Sequence, residues 1–184
     1  MKKSSIIFTI QLIFTIISIV FFVLLGIFHY QHRNNETVSQ DFAEQLNTYP
    51  MPPHTDLLSK KHVDGKQLVS GNGGYWGVIS FIHYSTSLSP KEVVAYYEKA
   101  PFFKYPHSQK KGVEIELYMA PTVEKVSSAE GPYYHNSRKG RVPISVYKRN
   151  PSFLEESEKY YKNHKKWDYV IQLTSDFDYL THWD

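Results

Sequence analysis

The stretch YWGVISFIHYST, residues 75–86, decides the fold because it is apolar on both faces of an extended strand. Side chains of a strand alternate between its two faces, so Val78 and Ile82 lie on one face. Ile79 and Phe81 lie on the other. A strand with two apolar faces is typical of the centre of a sheet that is covered on both sides. The sequence therefore predicts a central strand over residues 75–86.

The segment SLSPKEVVAYY, residues 87–97, follows this strand and carries the signals of a short helix. Ser89 is a favourable N-cap, Pro90 suits the first helical position, and Glu92 completes a capping box. The apolar residues of the segment form one stripe that would pack on a sheet. They are Val93, Val94 and Tyr97.

Four further segments have the alternating polarity of strands, and one has the pattern of an amphipathic helix. The strands are expected at 65–70, 112–119, 141–148 and 167–177, and the helix at 150–166. The order β-β-α-β-β-α-β predicts an α+β fold, with a mainly antiparallel sheet of about five strands and two helices on one face.

Segment 112–119 is expected to be a half-buried antiparallel strand, and segment 141–148 an edge strand. In the first, the polar residues, including Glu116, would face water. In the second, Pro143 lacks an N–H for sheet pairing and so indicates an edge strand. Residues 121–140 are predicted to form a long polar loop, and loops of this length are usually functional or disordered.

An uncharged and mostly apolar run from Ile6 to Phe28 dominates the N-terminus. As a helix, its 23 residues would span about 34 Å, enough to cross a hydrocarbon core of about 30 Å. A cleaved signal peptide is the alternative, but it would have a shorter apolar region and small residues at a cleavage site. Here the run ends in LLGIFHYQHR, with bulky residues. The sequence therefore predicts an uncleaved transmembrane anchor over residues 6–28.

Charged residues near the anchor predict its orientation. Lys2 and Lys3 precede it, whereas the other end has a single nearby basic residue. The positive-inside rule then places residues 1–5 in the cytoplasm and the rest of the chain outside, at the cell membrane. Residues 29–55 are predicted to form a stalk with a short helical segment around Val38–Leu46, and the prolines in YPMPPHT exclude helix at its end. Residues 56–184 form the predicted extracytoplasmic domain.

Composition argues against several classes of function. The chain has no cysteine, which excludes disulfides, thiolate metal sites and a cysteine nucleophile. Its formal net charge is +3, and the part after the anchor is nearly balanced. A dedicated nucleic-acid binder would show a basic face, so no nucleic-acid partner is expected.

The glycine-rich segment SGNGGYWG, residues 70–77, has the composition of a phosphate-binding loop. Such a loop needs a following helix whose N-terminus faces the phosphates, and here a strand follows. Asn72-Gly73 is instead a dipeptide favoured in a type I′ hairpin turn. The segment is therefore predicted to be a turn, with contact to a ligand as the alternative.

No arrangement of residues predicts a catalytic or metal site, and no cofactor is expected. His29 and His32 are one helical turn apart, but nearby residues offer little to complete a metal site. Glu114 and Glu116 are near enough on a strand for glycoside hydrolysis, but carboxylates are ordinary on a wet strand face. His83 is expected to be a packed residue of its strand.

Tyrosine is unusually frequent, with 15 residues, and it suits binding surfaces because it joins a flat apolar ring to a polar tip. Two tyrosines stand in GPYYHNSRKG on the predicted loop. The interaction site predicted from the sequence combines this group with the turn dipeptide: Tyr133, Tyr134, His135, Asn136, Arg138, Asn72 and Gly73. The expected partner is a peptide, a glycan or an envelope protein. The alternative is that the tyrosines only cover a small sheet.

Residues 64–97 resemble part of a known group of proteins. The matching motifs are Gly65-Lys66, Gly71-Asn72-Gly73, Ser87-Leu88-Ser89 and Tyr96-Tyr97, after the proline-rich lead-in YPMPPHT. With these motifs the chain resembles small, uncharacterised membrane-anchored proteins of Gram-positive-type bacteria. The resemblance covers under a fifth of the chain. It implies an exported, anchored domain and implies no activity.

These observations predict a single-pass protein that presents an α+β binding domain outside the cytoplasm and has no catalytic activity. Two alternatives stay open. One is a cell-envelope hydrolase that uses histidine and carboxylate residues, and the other is an accessory subunit of a membrane complex.

Overall fold

The computed structural model describes residues 2–66, 68, 75–104 and 112–178 of the chain. The predicted α+β class is confirmed, because one long helix is followed by antiparallel strands and short helices. In chain order the elements are α1 (Lys2–Asn47), β1 (Thr55–Gly65), β2 (Tyr75–Thr86), α2 (Pro90–Tyr97), β3 (Glu116–Met119), β4 (Val123–Ser127), β5 (Pro132–Asn136), α3 (Ile144–Arg149), a 3₁₀ turn (Pro151–Leu154), α4 (Glu155–Lys162) and β6 (Trp167–Asp178). The chain divides into two compact units, Met1–Glu36 and Thr37–Asp184.

The first unit contains most of helix α1. Its large apolar side chains are exposed from Phe8 to Phe28. Within the described part of the chain, α1 is the one helix long and apolar enough to cross a membrane, with a mean hydropathy of 2.8 in its most apolar window. Its length and composition fit a membrane anchor, and a signal sequence near an N-terminus has the same properties.

The second unit begins with the last turns of α1. Val38, Phe42 and Leu46 recur every four residues, so they share one helical face, and all three are buried in the core. The prediction placed these residues in a stalk over 29–55. In the structure the helix instead continues to Asn47 and this apolar face packs within the folded unit.

Four strands form an antiparallel sheet in the order β1-β2-β6-β3. Strand β2 is central and largely buried, as predicted, and β6 matches the predicted last strand. Strand β1 lies at Thr55–Gly65, so of the strand predicted at 65–70 only Gly65 is in a strand, Lys66 and Leu68 are not, and residues 67, 69 and 70 lie outside the described residues. Strand β1 is an edge strand with an exposed middle and a bulge between Leu57 and Ser59. An exposed strand needs no apolar face, and a bulge shifts the alternation by one residue. The sequence of β1 therefore lacks the alternating polarity by which strands are predicted.

Helix α2 and the end of α1 cover one side of the sheet, which we call the helix face. The predicted capping box is present, since Glu92 N donates to Ser89 Oγ at 3.3 Å and Ser89 N donates to Glu92 Oε2 at 2.7 Å. The Tyr97 hydroxyl lies 3.2 Å from that of Tyr169 on β6. The helix face carries Val78, Ile82, Tyr84, Tyr169, Ile171 and Leu173.

The β4–β5 hairpin covers the other side of the sheet, which we call the hairpin face. The rings of Tyr134 and Phe81 pack edge to face, with 4.9 Å between their centroids. The prediction of a long polar loop over 121–140 is therefore wrong, because ten of these residues form the two strands. The hairpin face carries Ile79, Phe81, His83, Glu116, Gln172 and Thr174.

Two more strand predictions are wrong. Only the end of segment 112–119 forms β3, and Glu116, which was expected to face water, is buried. Segment 141–148 forms helix α3 from Ile144 rather than a strand. Pro143, just before α3, forms an isolated antiparallel bridge with Glu116 of the edge strand β3, and its φ of −57° suits the start of the helix.

The helix predicted at 150–166 is confirmed as a 3₁₀ turn followed by α4. Asn150 caps its start, since Ser152 N donates to Asn150 Oδ1 at 3.2 Å. The buried side of this segment includes Leu154 and Ser157.

Candidate functional site

A cavity of about 580 Å³ lies between the β4–β5 hairpin and the hairpin face of the sheet. Its volume falls within the range of about 300–1,000 Å³ that is usual for sites of small organic ligands. The described residues that line it are Leu68, Ile79, Ser128, Tyr133, Tyr134, His135, Gly140, Arg141, Gln172 and Thr174. We call it the Arg141 cavity.

A buried carboxylate lies beside this cavity. The Glu116 side chain is 1% exposed. Its Oε2 accepts hydrogen bonds from Tyr118 Oη at 2.5 Å, Gln172 Nε2 at 3.0 Å and Thr174 Oγ1 at 3.1 Å. A buried charge is costly unless it is paired and hydrogen-bonded, so these donors and the Arg141 guanidinium together stabilise the carboxylate.

Arg141 connects the buried carboxylate to the cavity. Its Nε donates to Glu116 Oε1 at 2.6 Å, and its Nη2 contacts the same oxygen and donates to Thr174 O at 3.2 Å. The Arg141 side chain is nevertheless 54% exposed, and no hydrogen-bond partner for its Nη1 is found among the described residues. The guanidinium is therefore fixed along one edge and open along the other.

Gln172 fixes the hairpin to the sheet. Its Oε1 accepts from Tyr134 N at 2.9 Å, and its Nε2 donates to Tyr134 O at 3.1 Å. The side-chain amide thus bonds to β5 as a neighbouring strand would, although the two elements are not adjacent in a sheet. Because Gln172 is buried, this pair of bonds sets the position of Tyr134 at the cavity wall.

Burial keeps the phenols of this site protonated. It raises the pKa of Tyr118 far above the ordinary value, and the neighbouring Glu116 carboxylate raises it further. Burial also raises the pKa of Tyr134. Tyr118 therefore acts as a fixed hydrogen-bond donor to Glu116, which suits a rigid scaffold better than a proton-transfer relay.

Three residues of the predicted interaction site line the cavity. Tyr133 packs against a small apolar cluster that includes Leu68 and Ile79. Tyr134 forms the wall described above, and His135 Nε2 lies 3.2 Å from Glu124 Oε2. Their membership of a binding site stays a prediction.

The other predicted site residues have different positions. Asn136 Oδ1 accepts from Arg138 N at 3.0 Å and from Lys139 N at 3.1 Å, so Asn136 stabilises the turn after β5. The Arg138 guanidinium pairs with Glu156 on α4 and does not line the cavity. Asn72 and Gly73 lie outside the described residues, so the predicted type I′ turn stays a prediction.

Sequence reasoning missed the residues that give the cavity its chemistry: Glu116, Arg141, Gln172 and Thr174. One signal was available. Gln172 and Thr174 occupy alternate positions of β6 between the apolar residues Ile171 and Leu173, so they mark a polar row on one face of the sheet. A polar row inside a buried strand indicates a structured polar cluster.

The cavity offers fixed donors rather than an activated nucleophile. His83 Nε2 lies 3.5 Å from Asp168 Oδ2 on the same face of the sheet, in a neighbouring cavity. No hydroxyl group of the described residues is hydrogen-bonded to His83, which a serine-type triad would need. A search of the described residues finds no group of three or more His, Asp or Glu that could hold a metal ion.

Comparisons with known proteins do not assign the chain. No family model matches it, and no curated protein or solved structure is significantly similar to it. The resemblance noted over residues 64–97 therefore stays a prediction.

Proposed function

We propose that this chain is a membrane-anchored ligand-binding protein, and that the unit Thr37–Asp184 binds a small organic ligand in the Arg141 cavity. The observation that carries the proposal is the placement of Arg141, fixed by a buried carboxylate and half exposed to a cavity of suitable volume. Because the Arg141 side chain is already held in place before a ligand binds, binding would cost less conformational entropy.

The walls of the cavity support binding rather than catalysis. Tyr133 and Tyr134 supply aromatic surface, and Ile79 supplies apolar surface beside the fixed donors. Sites for small molecules usually combine such apolar walls with a few placed polar groups. The proposal therefore keeps Tyr133 and Tyr134 as residues that contact the ligand, as the sequence predicted.

Membrane anchoring by residues 6–28 and an extracytoplasmic position of the domain belong to the same proposal. Helix α1 is apolar enough to span a bilayer, and Lys2 and Lys3 favour a cytoplasmic N-terminus. We expect a reporter enzyme that is active only outside the cytoplasm to be active when fused after Asp184. An inactive reporter, together with activity of a cytoplasmic reporter at the same position, contradicts this orientation.

Binding is tested with a fragment library and the full-length protein in detergent micelles, by ligand-observed NMR. We expect a group of hits that compete with one another for one site and that are lost in the variant Tyr133→Ala. The matched control is Tyr161→Ala, because Tyr161 is a partly buried tyrosine that does not line the cavity. The control should keep the hits.

Two results would contradict the proposed function. One is the absence of fragments that compete for a single site. The other is a set of hits that Tyr133→Ala and Tyr161→Ala affect equally, since such hits would bind elsewhere.

A further inference from the structure

The charges that line the Arg141 cavity have one sign. Among the described lining residues, Arg141 is the one with a permanent charge. No aspartate or glutamate is among those lining residues, since Glu116 lies behind Arg141 and His135 contacts the exposed Glu124 from its own hairpin. The cavity therefore favours a ligand with a negative group.

The pairing of Arg141 selects the charge of that group. Glu116 already neutralises one unit of positive charge at the guanidinium, so the pair is neutral overall. Nε and Nη2 are engaged by Glu116 and Thr174, so Nη1 is the nitrogen left to donate a charge-assisted hydrogen bond to an oxygen of a carboxylate. A dianionic phosphate would also face the buried Glu116 charge at short range. The geometry suits a single carboxylate better.

Another part of the cavity wall is apolar. Ile79 and Leu68 are 3% exposed, and with Val63 and Tyr133 they form a hydrophobic cluster separate from the main core. Ile79 is the cross-strand partner of Thr174, so the floor changes from apolar to polar between adjacent strands. A ligand in the cavity would therefore place its negative group at Arg141 and its apolar part against the neighbouring strand.

We propose that the Arg141 cavity takes an organic monocarboxylate with an apolar body. The carboxylate binds at the free edge of Arg141, and the apolar body lies against Ile79, Leu68 and Tyr133. This inference rests on the proposed function and adds the chemical class of the ligand. A peptide C-terminus and a non-peptide organic acid both supply this chemistry.

The test compares matched acids and amides on full-length protein in detergent micelles, by titration calorimetry. One pair is N-acetylphenylalanine and its C-terminal amide, and the other is 4-phenylbutyrate and 4-phenylbutyramide. Each pair differs only in the negative charge. We expect at least one acid to bind about tenfold or more tightly than its amide. The pair with the larger ratio identifies a peptide end or a non-peptide acid as the better occupant.

Two arginine variants locate the effect. Arg141→Gln should bring the acid-to-amide ratio close to one, whereas Arg138→Gln should leave it unchanged. Arg138 is the matched control because it is three residues away, is exposed, and pairs with Glu156 outside the cavity. If Arg141→Gln fails to fold, the ratio of acid to amide affinity on the unaltered protein still tests the preference for a carboxylate.

Three results overturn the inference: equal binding of acid and amide in both pairs, no binding of any of the four probes, or an equal loss in the two arginine variants. The fragment screen separates these results from failure of the proposed function. If fragments still compete for a site that depends on Tyr133, the cavity binds a ligand of another class.

Discussion

The two faces of the sheet are buried by different means. On the helix face, apolar and tyrosine side chains pack against α2 and the end of α1, and Ile171 and Leu173 are fully buried there. On the hairpin face, the same strand β6 presents Gln172 and Thr174, which bond to a buried carboxylate and to the β4–β5 hairpin. One strand therefore serves an apolar core on one side and a polar cluster on the other.

The difference shows how a small domain combines stability with a site. Close-packed apolar surface stabilises without directional requirements, whereas a buried polar cluster stabilises only when every group has its partner. A cluster of this kind fixes the position of its members, and here it fixes Arg141 at a cavity. We expect changes on the helix face to act on stability and changes on the hairpin face to act mainly on binding.

The largest effect is expected from alkaline pH, because it acts on many buried phenols together. Burial raises the pKa of Tyr84 from 10.0 to about 12, and it raises the pKa values of Tyr97, Tyr147 and Tyr169 as well. In the unfolded chain these phenols ionise near pH 10, while in the folded chain they stay protonated. The stabilisation is therefore complete below pH 10 and is lost as pH rises to about 12.

Urea unfolding followed by circular dichroism between pH 8 and pH 12 measures this effect. Tyr84→Phe removes one of the phenols and should make the fall of the unfolding free energy less steep. An unfolding free energy that is constant from pH 9 to pH 11 would contradict the assignment of these tyrosines to the core.

The next largest effect is expected from Ile171→Ala on the helix face. Ile171 is 0% exposed, so its truncation leaves a cavity in close-packed surroundings and should reduce the unfolding free energy by about 2–5 kcal/mol. Leu58→Ala is the control, because Leu58 on the edge strand is 49% exposed and its change should cost about 0.5 kcal/mol or less. Equal losses in the two variants would argue against the packing of the helix face.

A smaller effect on stability is expected from the ion pair of the hairpin face. Arg141→Gln should cost about 1–3 kcal/mol because it leaves the buried Glu116 charge without its cation. Glu116→Gln should cost a similar amount because it removes the charged acceptor of the buried donors Tyr118 and Gln172. The double variant should cost less than the sum, with a coupling energy of about 0.5–3 kcal/mol. The exposed pair Arg138–Glu156 is the matched cycle, for which we expect less than about 1 kcal/mol. A coupling energy no larger than that of this exposed pair would show that the buried pair is not a unit.

The smallest effect is expected from the helix cap. Ser89→Ala removes the acceptor for Glu92 N and should cost about 1 kcal/mol in urea unfolding. Ser87→Ala is the control, because Ser87 is exposed and lies two residues before the cap. A cost for Ser89→Ala that does not exceed the cost for Ser87→Ala would count against the capping box.

Elements with strong local signals were predicted correctly. Strand β2 is apolar on both faces, and α2 begins with a serine, a proline and a glutamate in the positions that a capped helix requires. Helix α4 begins after Asn150 and Pro151, which also act locally. In each case the deciding residues are neighbours in the sequence, so reading them needed no knowledge of the tertiary structure.

The incorrect predictions concern residues whose structure depends on contacts with residues far away in the sequence. The burial of Glu116 depends on the hairpin and on Gln172, which is 56 residues away. A polar residue on a strand is usually exposed, so the local pattern alone indicated water. Pro143 is compatible with a sheet edge and with a helix start, and in the fold it has both roles, as a single bridge to Glu116 and as the residue before α3. The cavity was missed for the same reason, although its three hairpin residues were singled out by their composition.

We propose that the hairpin face holds the ligand site while the helix face maintains the fold. Amide chemical shifts of the full-length protein in micelles, measured with and without saturating 4-phenylbutyrate or a confirmed fragment, test this directly. We predict that the largest shift changes occur at Tyr133, Tyr134 and Thr174. Changes concentrated at Val93 and Tyr97 on α2, with none around the cavity, would contradict it.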